Sequence, residues 1–147
     1  MAKPDFVYVT YISASPEKVW KAIVDPQTAA KYWQHVNLSE WTPGSRWEHR
    51  EKDSKGALRL VGRVVESSPP RRLVLTWAEP ADAANEEKHS RVTIEIQPVG
   101  DLVRLTVTHD RFEAGSEMLE SIQEGWPKVL SSLKSLLETG KPLPSLW

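Results

Sequence analysis

The sequence predicts an α+β domain in which an antiparallel sheet of about six or seven strands is closed by one long C-terminal helix. Three observations carry that expectation. Apolar and polar residues alternate through most of the chain from Phe6 to His109, the two-residue period of half-buried strands. Two helix-start signals, Ser15-Pro16 and Asp25-Pro26, follow the first alternating run in quick succession. From Ser116 to Thr139, residues Leu119, Ile122, Trp126, Val129, Leu130, Leu133, Leu136 and Leu137 recur at steps of three and four, laying one apolar stripe along a helix. No partner helix of similar length is present, so that stripe must lie on the sheet.

Taken in order, Phe6 to Ile12 is a strand of aromatic and branched residues. Ser15 caps a helix from Pro16 to about Val24 that buries Val19, Trp20 and Ile23. Asp25 starts a second, from Pro26 to Trp33. A meander follows. Asn37 to Trp41 is a short strand, and Thr42-Pro43-Gly44-Ser45 suits a type II turn. Arg46 to Lys52 puts Trp47 and His49 on one face, with Asp53 to Gly56 as the hairpin tip. Ala57 to Glu66 is a long strand in which Gly62 marks a bulge or a close approach. After a turn at Ser67-Ser68-Pro69-Pro70, Arg71 to Trp77 aligns Leu73, Leu75 and Trp77. Ala78 to Ser90 is polar and acidic and reads as a mobile hairpin loop. Val92, Ile94 and Ile96 share the face of the next strand, Pro98 to Asp101 turns, and Leu102 to His109 aligns Val103, Leu105, Val107 and His109. The final helix is expected to be capped by Ser116, kinked near Gln123 by Pro127 and stopped by Gly140.

Composition narrows the function. A chain of 147 residues fits a single domain over residues 1–147 and can bury roughly 70% of its unfolded surface. Net charge is −1 with no long block of like charge, which argues against nucleic-acid binding. Without cysteine there is no disulfide, thiolate nucleophile or thiolate metal site. The start has no apolar signal core and no run suits membrane insertion, so a cytoplasmic protein is expected. The four histidines show no metal-ligand spacing, and neither a phosphate loop nor a nucleophile elbow occurs, so no metal, cofactor or catalytic set is expected.

Seven tryptophans stand against two phenylalanines. They supply either core bulk or the flat walls of a pocket. By alternation His49 and His109 both face the apolar layer, as satisfied buried histidines or as polar groups projecting into a cavity. Trp126 sits in the helix stripe beside Gly125, where the missing side chain lets a strand, a loop or a ligand approach.

Several segments resemble the heat-shock protein 90 ATPase activator-like family of the START-like (SRPBCC) helix-grip superfamily. They are Ala14-Ser15-Pro16-Glu17-Lys18-Val19-Trp20, Thr42-Pro43-Gly44-Ser45-Arg46-Trp47 and Gly62-Arg63-Val64-Val65-Glu66, then Pro69-Pro70-Arg71-Arg72-Leu73 and Leu75-Thr76-Trp77. Leu105-Thr106-Val107-Thr108-His109 and Gly125-Trp126-Pro127 complete the family's order. The resemblance implies a curved sheet gripping the C-terminal helix, two short helices closing one end, and a cavity between helix and sheet. Members of the wider superfamily bind lipids, sterols or polyketides there, and some cyclise polyketides. In the eukaryotic co-chaperone such a domain follows a separate N-terminal domain for which this chain has no room, so chaperone activation is expected to transfer poorly.

The expected function is a small soluble protein holding an apolar or aromatic small molecule between sheet and helix. Its expected lining is Trp47, His49, Trp77, Val92, Ile94, Leu105, His109, Ile122 and Trp126. Binding is preferred to catalysis. The alternatives are a polyketide cyclase or aromatase using His49 or His109 as acid or base, and a module contacting the chaperone ATPase.

Overall fold

Alternating segments pair in sequence to build most of the sheet. The computed structural model describes residues 6–52, 56–112 and 117–144. Strands β1 (Phe6–Ile12), β2 (His35–Ser39), β3 (Arg46–Glu51), β4 (Leu58–Ser68), β5 (Arg72–Trp77), β6 (Ser90–Val99) and β7 (Leu102–Asp110) form one antiparallel sheet in the order β1-β7-β6-β5-β4-β3-β2. From β2 to β7 each strand pairs with its sequence neighbour. β1 crosses to the far edge because α1 (Pro16–Val24) and α2 (Pro26–Trp33) come between it and β2. Register shifts between His49 and Arg50 and between Val64 and Glu66 bend the sheet around helix α3 (Glu117–Thr139).

Both short helices begin where their caps require. Ser15 Oγ accepts from the Lys18 amide at 3.3 Å, and Asp25 Oδ2 accepts from the Thr28 amide at 3.1 Å and its hydroxyl at 2.6 Å. The Thr28 hydroxyl bond is the main reason the Asp25 carboxyl sits below its ordinary range. Buried Tyr32 ties α2 to α1, its hydroxyl donating to the Ala22 carbonyl at 2.8 Å. Burial pushes the Tyr32 phenol far above its usual pKa.

Four boundaries differ from the sequence expectation. Gln34 ends α2 in the left-handed region (φ 68°), so β2 starts at His35 and ends at Ser39, and Trp41 lies beyond it at φ 59°. Asn37 thereby becomes a buried mid-strand residue opposite His49. β4 continues through Ser67 and Ser68, which pair with Leu73 and Arg72. β6 continues through Pro98 and Val99, opposite Val103 and Leu102. The 78–90 connection carries two single 3-10 turns, Pro80–Asp82 and Glu86–Lys88. The expected Ser116 cap and positions 53–55 of the hairpin tip lie outside the described residues.

Helix α3 is continuous through Pro127, which removes one backbone bond without ending the helix. It stops at Gly140 (φ 83°), whose amide donates to the Leu136 carbonyl at 2.9 Å. Its Val129, Leu130 and Leu133 share one apolar core with Val103, Leu105 and Val107 of β7 and with Val92, Ile94 and Ile96 of β6. Among the described residues no helix is long and apolar enough to cross a membrane.

Gly62 is a close approach. A Cβ there would lie 1.9 Å from the Thr76 carbonyl oxygen, which is backbone and cannot swing aside. Gly62→Ala must force β4 and β5 apart, with an expected loss of at least ~1–3 kcal/mol in urea-unfolding stability. A wild-type stability would mean that the strands are not held at this spacing.

Candidate functional site

The inward end of the β6–β7 ladder brings His109 under α3. It is fully buried, and both ring nitrogens are engaged. The Trp126 indole can only donate, so its Nε1–H donates to His109 Nδ1 at 3.2 Å. The imidazole proton therefore sits on Nε2 and donates to Ser90 Oγ at 2.8 Å, and Ser90 Oγ donates to the Trp77 carbonyl at 3.1 Å. This chain fixes helix to sheet and fixes the tautomer. Burial pushes the His109 pKa down to about 3, so the ring is neutral at pH 7.

His49, on β3, is also buried but only half engaged. Asn37 Nδ2 donates to the Ile23 carbonyl at 3.1 Å, which leaves Asn37 Oδ1 to accept from His49 Nδ1 at 2.7 Å. His49 Nε2 keeps a free lone pair, and nothing among the described residues donates to it. Burial, and secondarily the stacked His35 ring 4.7 Å away, lowers the His49 pKa to about 3.

A chamber of about 240 Å³ lies under the N-terminal half of α3. Its sheet side is His49, Leu60 and Trp77, and its helix side is Met118, Ser121, Ile122, Gly125, Trp126 and Val129. Trp33, the last residue of α2, completes the wall, with Glu79 at the edge. The aromatic groups form a continuous cluster: Trp33 packs 5.5 Å from Trp126 and 4.8 Å from His49, and Trp77 lies 5.5 Å from Trp126. A Cβ on Gly125 would meet nothing within 4 Å, so that helix position opens onto free space.

Of the residues expected from sequence, His49, Trp77, Ile122 and Trp126 meet in this wall. Trp47, Val92, Ile94, Leu105 and His109 face the same side of the sheet but lie in the packed core beneath or beside it. Trp47 packs 4.8 Å from Trp77 with the rings tilted by 30°, and Trp47 and Trp77 keep buried indole N–H groups without a partner. Trp33, Leu60, Glu79, Met118, Ser121, Gly125 and Val129 are wall residues that were not expected as lining. Of these, Gly125 carried a signal in its missing side chain and Val129 in its place in the helix stripe. Among the described residues no cluster of three or more His, Cys, Asp or Glu could hold a metal ion.

A curved antiparallel sheet gripping a long C-terminal helix, with a chamber between them, defines a helix-grip protein. The chain belongs to the family described as Activator of Hsp90 ATPase homolog 1-like protein, whose profile matches residues 13–138. The Aha1 dimer of Colwellia psychrerythraea is 20% identical with a TM-score of 0.75, covering 95% of this chain and 99% of that one. PFC0360w, an HSP90 activator from Plasmodium falciparum, is 22% identical with a TM-score of 0.73, covering 90% and 95%. CalU16 of Micromonospora echinospora is 20% identical with a TM-score of 0.72, covering 92% and 77%. At such identities the likeness is one of fold. No curated protein matches the sequence.

Both histidines are depressed in the fold, so the unfolded chain binds more protons between pH ~6.5 and ~3. Their contribution to stability is full above pH ~6.5 and is lost as pH falls, at about 1.4 kcal/mol per unit for each. Urea-derived stabilities across pH 7 to 4 should fall less steeply in His49→Gln and in His109→Gln than in the wild type, and parallel curves would refute the assignment. Trp126→Phe keeps an apolar ring but orphans His109 Nδ1, with an expected cost of ~1–3 kcal/mol in the same assay. A cost within error would show that the indole bond holds nothing.

Proposed function

We propose that this protein is a cytoplasmic binding module that holds one compact aromatic molecule in the chamber under the N-terminal half of α3. The observation that carries this reading is an apolar chamber walled by Trp33, Trp77 and Trp126 into which one buried acceptor, His49 Nε2, presents a free lone pair. Size selects among ligands. A cavity of about 150 Å³ takes benzene, so about 240 Å³ suits one or two rings, and a sterol or a diacyl lipid would have to extend beyond this chamber. Acid–base turnover is less well supported. Both nitrogens of His109 are occupied, and both imidazoles have pKa values near 3, far from that of an effective base at neutral pH.

A contact with a heat-shock protein 90 type chaperone is the second reading. The family description supports it, as does an exposed apolar row, Val7, Val9 and Tyr11, on the edge strand β1. If it is right, the purified chaperone should hydrolyse ATP faster with the wild-type protein than with Val9→Lys. Equal rates would remove this reading.

The chamber reading is tested by following tryptophan fluorescence during titration with indole, naphthalene, a fatty acid and a sterol. A saturable change is expected with the ring compounds only. Gly125→Leu should abolish it by filling the chamber, while its urea stability stays at or above that of the wild type, because glycine costs a helix interior about 0.5–1 kcal/mol. No saturable change with either ring compound, or unaltered binding by Gly125→Leu, would overturn the proposal.

A further inference from the structure

The chamber does not end at Trp77. A second cavity of about 260 Å³ shares Trp77, Glu79 and Met118 with it, so the two are neighbours across one indole. Their characters differ. The first is largely apolar, whereas the second adds to Trp77, Phe112 and Met118 three acidic residues, half-buried Asp82 and, at its open rim, exposed Glu79 and Glu117. Its one cationic side chain, Lys88, lies 3.9 Å from Asp82 Oδ1. Glu79 and Glu117 have no ion-pair partner among the described residues. The N-terminal end of α3 adds about half a positive charge, which does not offset the two remaining carboxylates.

Apart from the Ser121 hydroxyl, the Trp77 indole N–H, which is buried out of reach, and Lys88, the polarity on offer is that of acceptors. In the inner chamber the buried imidazole of His49, 3% exposed, presents a lone pair. In the outer one the unpaired groups are carboxylates. Both parts ask for hydrogen-bond donors, and the outer part asks for positive charge. Trp77, which walls both, also offers the kind of ring face on which a cation is stabilised.

We propose that the occupant is an aromatic amine, with its uncharged ring in the tryptophan-walled chamber and its ammonium in the acidic vestibule beside Glu79. This rests on the reading of the chamber as a ligand site. It adds the charge of the ligand and its direction, ring inward and ammonium outward.

Three probes with one ring and a matched short chain separate the two ideas: phenethylamine, phenethyl alcohol and 3-phenylpropionate, each titrated calorimetrically and by tryptophan fluorescence. The ammonium compound should bind at least about tenfold tighter than the alcohol, as expected for a charge-assisted bond. The carboxylate compound should bind weakest. Added salt should weaken the ammonium compound and leave the alcohol unchanged. Glu79→Gln/Glu117→Gln should reduce the ammonium preference to about twofold or less, with alcohol binding retained as evidence of an intact chamber. If the alcohol binds as tightly as the ammonium compound, the chamber reading stands and the amine inference fails. The amine inference fails in the same way if the double variant keeps the preference. If none of the three binds, both fail.

Discussion

The bond from the Trp126 indole to His109 is the constraint on which the arrangement of helix and sheet depends. An apolar stripe alone is non-directional and would let α3 slide along the curved sheet at little cost. A buried imidazole with two nitrogens to satisfy is not so permissive, because an orphaned buried polar group costs about 1–3 kcal/mol. Trp126 satisfies one nitrogen from the helix, and Ser90 satisfies the other from β6. The Ser90 bond lies within the sheet, so the register of α3 is held by the Trp126 bond alone. That register sets Ile122, Gly125 and Val129 across from His49 and Trp77, where the chamber lies, and leaves Leu130 and Leu133 to the packed core.

Much of this was legible in the sequence, for definable reasons. The strands from Arg46 onward and the stripe of α3 are read from periodicity, and α1 and α2 from Pro at the first helical turn behind a capping side chain. Alternation correctly turned His49 and His109 inward. It states the side of a sheet, however, and not the depth. Trp47 and Trp77 share a face and pack against each other, yet only Trp77 reaches the chamber. Leu105 and His109 lie on the face of the same strand, and both are covered.

What escaped was set by backbone conformations that side-chain periodicity does not encode. The left-handed Gln34 advances β2 by two residues relative to its expected start, and that shift places Asn37 opposite His49. The pairing decides which imidazole nitrogen is left free. Trp33 ends a helix whose pattern assigns it only to packing, yet its ring bridges His49 and Trp126. Glu79 lies in an irregular connection where no periodicity operates.

The excess of tryptophan over phenylalanine now has a physical account. Trp47 and Trp77 both keep buried N–H groups without partners, a combined penalty of about 2–6 kcal/mol. Burying an indole removes roughly 200 Å² from water, or about 5 kcal/mol each at 25 cal/mol per Å², so the rings still stabilise the fold. A phenylalanine would avoid the orphaned donor at little loss of burial, so filling a core does not by itself select tryptophan here. A broad, flat wall does. Trp77 spans two cavities of opposite character, and Trp33 and Trp126 meet across the chamber from different helices. A smaller ring at Trp77 would merge the two spaces that its indole separates.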